Sequence, residues 1–169
     1  MYPILLCSMA GVAIFINRAV RYRNILKIME RPVSDLLRVR PAILQPVLKG
    51  LEEGCDEQEL SITGTRQVRM IERGLSWLGV IATITPLLGL TGTVIGMIKA
   101  FMVIAESTSV NPSMLAGGIW EALITTAAGL LVAIPMHAGH HYLEKQADEI
   151  AFTLKEISMS LYTRCRDGV

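Results

Sequence analysis

Glu121 is a carboxylate in a costly place. It lies inside residues 114–135, MLAGGIWEALITTAAGLLVAIP, a run that is otherwise apolar. Such a run is long enough to cross a bilayer, which takes about 20 mainly apolar residues. A charged side chain at the centre of a membrane helix costs roughly 2.5–3.5 kcal/mol on insertion scales. Intramembrane carboxylates therefore face protein or water, where they take up and release protons or pair with cations. Glu121 is therefore the first functional candidate of the chain. A structural pairing with a cation on another chain is the competing role.

Hydroxyls accompany it. On a helix over this run, Gly118, Glu121, Ala122, Thr125, Thr126, Gly129 and Ala133 share a broad face of small and polar residues. A second apolar run, GLSWLGVIATITPLLGLTGTVIGMIKAFMVIAES, carries Thr85, Gly89, Gly92, Thr93 and Gly96 at helical spacing, and Gly92–Gly96 is itself a GxxxG. Small-residue stripes let another backbone approach closely in a membrane. The expectation is that this stripe seams copies of the chain together. Thr85, Thr93, Thr125 and Thr126 either line a polar lumen with Glu121 or bond their own backbones. Lys99 follows Gly96 by one turn. It either snorkels to the outer interface or meets an acidic group on a partner.

The elements that must position these residues follow from charge and hydropathy. Half of the 169 residues are hydrophobic and 18% are charged, where a soluble domain carries about 25% charged residues. Eleven of the sixteen Lys and Arg fall in residues 17–73, and Lys99 alone in residues 74–143. This segregation points to an integral membrane protein and away from nucleic-acid binding. Arg18, Arg21 and Arg23 follow the first apolar run, so the positive-inside rule sets the N-terminus outside.

The predicted fold is all-α, with three transmembrane helices, N-terminus out and C-terminus in. The first span covers residues 1–20. A cytoplasmic loop with short helices follows over 21–73, including Val33–Arg38 and Ile43–Leu51 between prolines. From Asp56 one helix is expected to run into the second span, 74–106, and to project into the cytoplasm. Residues 107–113 form an outer, periplasmic turn without Lys or Arg. The third span, 114–136, continues into a cytoplasmic helical tail, 137–169. One chain has too few spans to enclose a polar channel, so several copies side by side are expected.

Other residues carry less. His137, His140 and His141 share one face, but no further ligand lies near them to complete a metal site. Cys7, Cys55 and Cys165 fit no disulfide or zinc spacing and read as free thiols. Glu52, Glu53, Asp56, Glu57 and Glu59 read as a solvated face. No phosphate loop or nucleophile–base set is present, so neither an enzyme nor a cofactor is expected.

At this point the residues resemble a known family. ERGLSWLGVIATITPLLGLTGTVIGMIKAF (72–101), followed by GGIWEALITTAAGLLVAIP (117–135), is similar to the ExbB/TolQ/MotA proton-channel family, and most to its ExbB branch. The resemblance implies a ring, a pentamer in that branch, in the bacterial inner membrane, with the second and third helices lining a pore. It implies a single-span ExbD-like partner whose Asp carries the proton, and a TonB-like protein that receives the work and opens outer-membrane receptors for iron carriers and vitamin B12. By motif position Thr93, Glu121 and Thr126 match the pore-lining hydroxyls and Glu. A TolQ-like subunit of a Tol-Pal complex, or a scaffold that only stabilises a partner, stays open beside this reading.

Overall fold

The computed structural model describes residues 2–29, 35, 39–54, 56–107 and 112–167. Five helices account for nearly all of them: α1 (Tyr2–Met29), α2 (Gln45–Glu52), α3 (Glu57–Glu72), α4 (Leu75–Glu106) and α5 (Pro112–Asp167). No strand occurs among the described residues. Three helices are long and apolar enough to cross a membrane: α1, α4, and α5 over Ala116–Thr163. The chain is an all-helical, multi-pass membrane protein. The expected Val33–Arg38 helix falls largely outside the described residues, as do most of the outer turn, Cys55, and the side chains of Glu57 and Cys165.

The chain divides into two compact units. The first comprises Met1–Phe15 and Trp77–His140 and holds parts of α1, α4 and α5. Its apolar helices persist through Pro86 and Pro135, which membrane helices tolerate when local adjustments satisfy the freed carbonyls. Small residues set how α4 and α5 meet. A β-carbon at Gly129 would lie 3.0 Å from the Thr85 carbonyl oxygen and 3.1 Å from Gly89 Cα. At Gly89 it would lie 3.1 Å from both the Thr125 carbonyl oxygen and Thr126 Cα. At Gly96 it would meet Ala122 Cβ at 2.8 Å, and at Gly118 it would meet Ala100 Cβ at 2.5 Å. These antiparallel backbones thus approach through the absence of side chains, the general device of membrane helix packing. The small-residue stripe expected to seam separate copies is spent on pairing two helices of one chain. Spacing identifies such a face but carries no label for the helix that meets it. Helix α1 completes the unit: Gly11 lies against Met136 and Ile81, and Phe15 lies against Gly139.

The second unit comprises Ile16–Ser76 and His141–Val169. Its core is made of large side chains. On α5, Leu143, Ala147, Ile150, Leu154, Ile157 and Leu161 are buried at alternating steps of four and three, the stripe of an amphipathic helix facing a core. Tyr22, Leu44, Val47, Leu60 and Ile71 are buried in the same unit. Helix α2 starts beside Pro46, where the missing N–H costs nothing. It ends at Gly54, whose φ of 74° suits glycine. Glu52 pairs with Arg40 at 3.0 Å and Glu53 with Lys49 at 3.5 Å, all on exposed side chains, so these pairs add little stability.

The single helix expected from Asp56 through residue 106 is two helices, with a turn at Arg73–Gly74. The cause lies on α1. A terminating helix leaves its last carbonyls without partners. Here the Ile71 carbonyl accepts from the buried Tyr22 hydroxyl at 3.0 Å and from Arg18 Nη1 at 3.4 Å. The Arg18 guanidinium fills the space that a side chain at Gly74 would need. Periodicity passes smoothly through this point because the break is set by residues about 50 positions away.

Two predictions follow from this packing. Tyr22→Phe leaves a buried carbonyl short of a donor and should cost about 1–2 kcal/mol. The thermal midpoint in detergent should fall by several degrees, and an unchanged midpoint would show that the Tyr22 bond does not hold the turn. Gly129→Leu should overpack α4 against α5 and cost about 3 kcal/mol. The readout is thermal unfolding of the monomeric fraction. A monomer of full stability that no longer associates would restore the stripe to the role of a seam between copies.

Candidate functional site

Glu121 lies at the edge of the α4–α5 contact and its side chain is exposed. It opens onto a cleft of ≈ 400 Å³ between the two helices. Helix α4 contributes Gly92, Gly96, Lys99 and Ala100 to the walls, and α5 contributes Gly118, Glu121, Ala122 and Thr125. The cleft exists because most of these side chains are small. Lys99 and Glu121 are its two charged residues. Among the described residues the ion pairs within 4.0 Å are Arg40–Glu52, Lys49–Glu53 and His141–Glu144. The charged ends of Lys99 and Glu121 therefore stand apart in this structure.

The expected hydroxyls divide into three environments. Thr125 lines the Glu121 cleft and donates to the Ala122 carbonyl at 2.7 Å. Thr93 opens instead onto a separate apolar groove with Met97 and Phe101, and donates to Leu90 at 2.6 Å. Thr85 is 0% exposed and donates to Ile81 at 2.6 Å. A threonine beside the polypeptide's closest helix crossing has no surface to offer a lumen in this conformation. Thr126 is the one that crosses: its hydroxyl donates to the Gly89 carbonyl on α4 at 2.9 Å. The close approach at Gly89 and Gly129 brings that carbonyl within reach of α5. The hydroxyls expected on one lining thus mostly satisfy carbonyls inside the helix pair, as threonines in membrane helices commonly do. The packing glycines Gly89, Gly92, Gly96, Gly118 and Gly129 are brought together on the α4–α5 contact.

Lys99 is the residue whose place the sequence left open. Its helical register put it on the side of the small stripe, and the cleft now puts it beside Glu121. Arg18 and Tyr22 are positioning residues that the sequence did not single out as such; the buried position of Tyr22 explains why a polar ring sits within the first basic cluster. Of the histidines, His140 packs its Nε2 edge against Gly79, and His141 Nδ1 lies 3.5 Å from Glu144 Oε2. Among the described residues no group of three or more His, Cys, Asp or Glu is placed to hold a metal ion. Cys7 is a half-buried free thiol.

Comparison with known proteins bears on the whole of this region. Residues 27–156 match the MotA/TolQ/ExbB proton channel family. The chain is 47% identical over 98 residues to the biopolymer transport protein exbB1 of Vibrio cholerae, which covers 57% of this chain and 43% of that one. It is 32% identical over 117 residues to the Tol-Pal system protein TolQ of Haemophilus influenzae, covering 69% of this chain and 49% of the relative. It is 37% identical over 90 residues to the biopolymer transport protein ExbB of Salmonella typhimurium, covering 53% and 37%. The matched segments thus span about half or less of these relatives' own lengths. The match takes in both helices that carry the Glu121 cleft and most of the second unit, so the family resemblance drawn from two motif blocks extends over most of the chain. The chain belongs to the MotA/TolQ/ExbB proton channel family.

Proposed function

We propose that this chain is a proton-conducting subunit of a bacterial inner-membrane complex that turns the proton motive force into work. In this reading several copies form a ring, a pentamer, around a single-span ExbD-like partner. Glu121 exchanges protons at the inner surface of that ring. The work passes to a TonB-like protein that drives outer-membrane transport. The chain makes and breaks no covalent bonds and needs no cofactor.

The observation that carries the reading is the position of Glu121. A carboxylate on an apolar helix, open at one side to a cleft and in no ion pair within 4.0 Å among the described residues, requires a polar surround to remain in a membrane. Sister copies and a partner supply that surround, and one chain with three spans cannot. The outer surfaces of the pair support the same arrangement. Leu87, Leu90, Val94, Leu123, Leu131 and Ile134 are exposed. Apolar area on this scale needs lipid or another apolar surface to cover it. Membership of the proton channel family supplies the ion.

The relatives divide on the downstream partner. The higher identity, 47%, is to a protein named for biopolymer transport, which favours the TonB-type role. The longer aligned segment, 117 residues, is to a Tol-Pal system protein, which favours a TolQ-like role as the second reading. Both place the same demand on Glu121.

The test is proton uptake by liposomes that hold the chain with its single-span partner under an imposed potential. Glu121→Gln should lower the flux about 100-fold, the scale of losing a proton-transfer group, while the complex still assembles. Thr126→Val should lower it less and should destabilise the α4–α5 pair by about 0.6 kcal/mol, the usual worth of an interhelical bond in a membrane. A Glu121→Gln complex that conducts as well as the original leaves only the scaffold role.

A further inference from the structure

We propose that Lys99 is the resident counter-charge of Glu121. It is a positioning residue that orients the carboxylate along the α4–α5 cleft. The proposal rests on the reading of Glu121 as the proton-exchanging group and adds a control element to it.

Three observations carry it. Lys99 and Glu121 line the same cleft, from opposite helices. The register places them at nearly one level: Gly96 meets Ala122 and Ala100 meets Gly118, so the two charges are offset by about two residues, or ~3 Å, along the helix axes. Beside Ile95 and Val103 the cleft is walled by Gly92, Gly96, Ala100, Gly118 and Ala122, small residues that leave room for both long side chains to swing.

The rest of the unit offers Glu121 no other charged partner. Its remaining titratable groups among the described residues are Tyr2 and Cys7 on α1, Glu106 on α4, and His137 and His140 on α5. None of them lines this cleft. Each charge alone is costly in a membrane, and together they lower each other's cost. A lysine ammonium on a flexible four-carbon stem can pair and then withdraw, which a rigid counter-charge cannot. Snorkelling and pairing are then two positions of one side chain.

The experiment is a double-variant cycle on the full chain in lipid vesicles, read by thermal unfolding. Lys99→Met and Glu121→Gln should each lower the midpoint by several degrees, because each leaves one charge alone in a membrane, and the double variant should lower it by less than the two losses together. Lys99→Arg, which keeps the charge, should leave the midpoint in place. Losses that simply add in the double variant overturn the proposal. Should Lys99→Met fail to accumulate in the membrane, the double variant Lys99→Met, Glu121→Gln decides. Recovery of the protein supports the pairing, because the lone charge is gone; continued failure overturns it. This readout needs no flux. A Glu121→Gln complex that conducts normally removes the proton role while the cycle still tests the pair, and a lost flux with additive losses removes only the pair.

Discussion

The contact between the backbones of α4 and α5 at Gly89 and Gly129 governs the rest of the first unit. Neither position admits a β-carbon without pushing on main-chain atoms. Main chain in a helix cannot yield cheaply, so the two glycines fix both the separation and the register of the pair. The Thr126 hydroxyl then reaches the Gly89 carbonyl across the contact. In a membrane, where lipid gives no hydrophobic drive toward helix association, dispersion at such short range and interhelical hydrogen bonds are what hold helices together. The cleft beside Glu121 is a consequence of the same register. Away from Gly89 the contact is filled by alanines and further glycines, and the space they leave is open to Lys99 and Glu121.

Helix α5 shows two packing chemistries on one continuous stripe. Its first half presents Gly118, Ala122, Thr125, Gly129 and Ala133. Its second half presents Leu143, Ile150, Leu154, Ile157 and Leu161, all buried. In lipid, close approach of small residues gives the association; in water, burial of large apolar side chains gives it, at about 25 cal/mol per Å². The division of the chain into units near residue 140 falls where the stripe changes character. Glu121 belongs to the half that packs through small residues.

The turn between α3 and α4 is held from outside those helices. Tyr22 and Arg18 cap the Ile71 carbonyl, and Arg18 also occupies the space beside Gly74. The basic residues after the first apolar run thus do two jobs. They place positive charge at the end of the first apolar run, and one of them fixes the chain direction just before α4 starts. A helix that packs by close backbone contact needs a defined starting point, because an error of one residue in register moves each of its side chains by about 100° around the axis.

The sequence by itself determined the three apolar helices, the small faces on the second and third of them, the isolation of Glu121 and Lys99 among uncharged neighbours, and the family. Each is a property of composition, local period or motif, and each survives whatever the chain packs against. The tertiary structure alone decided that the glycine stripe of α4 meets α5 of the same chain, that Thr85 is enclosed while Thr126 bridges, that the helix from residue 57 breaks at Arg73–Gly74, and that Lys99 shares a cleft with Glu121. The physical reason is common to all four. Helical spacing states which residues lie on one side of a helix, but the identity of the surface they face is a contact between distant parts of the chain, and its choice depends on the packing of every helix at once.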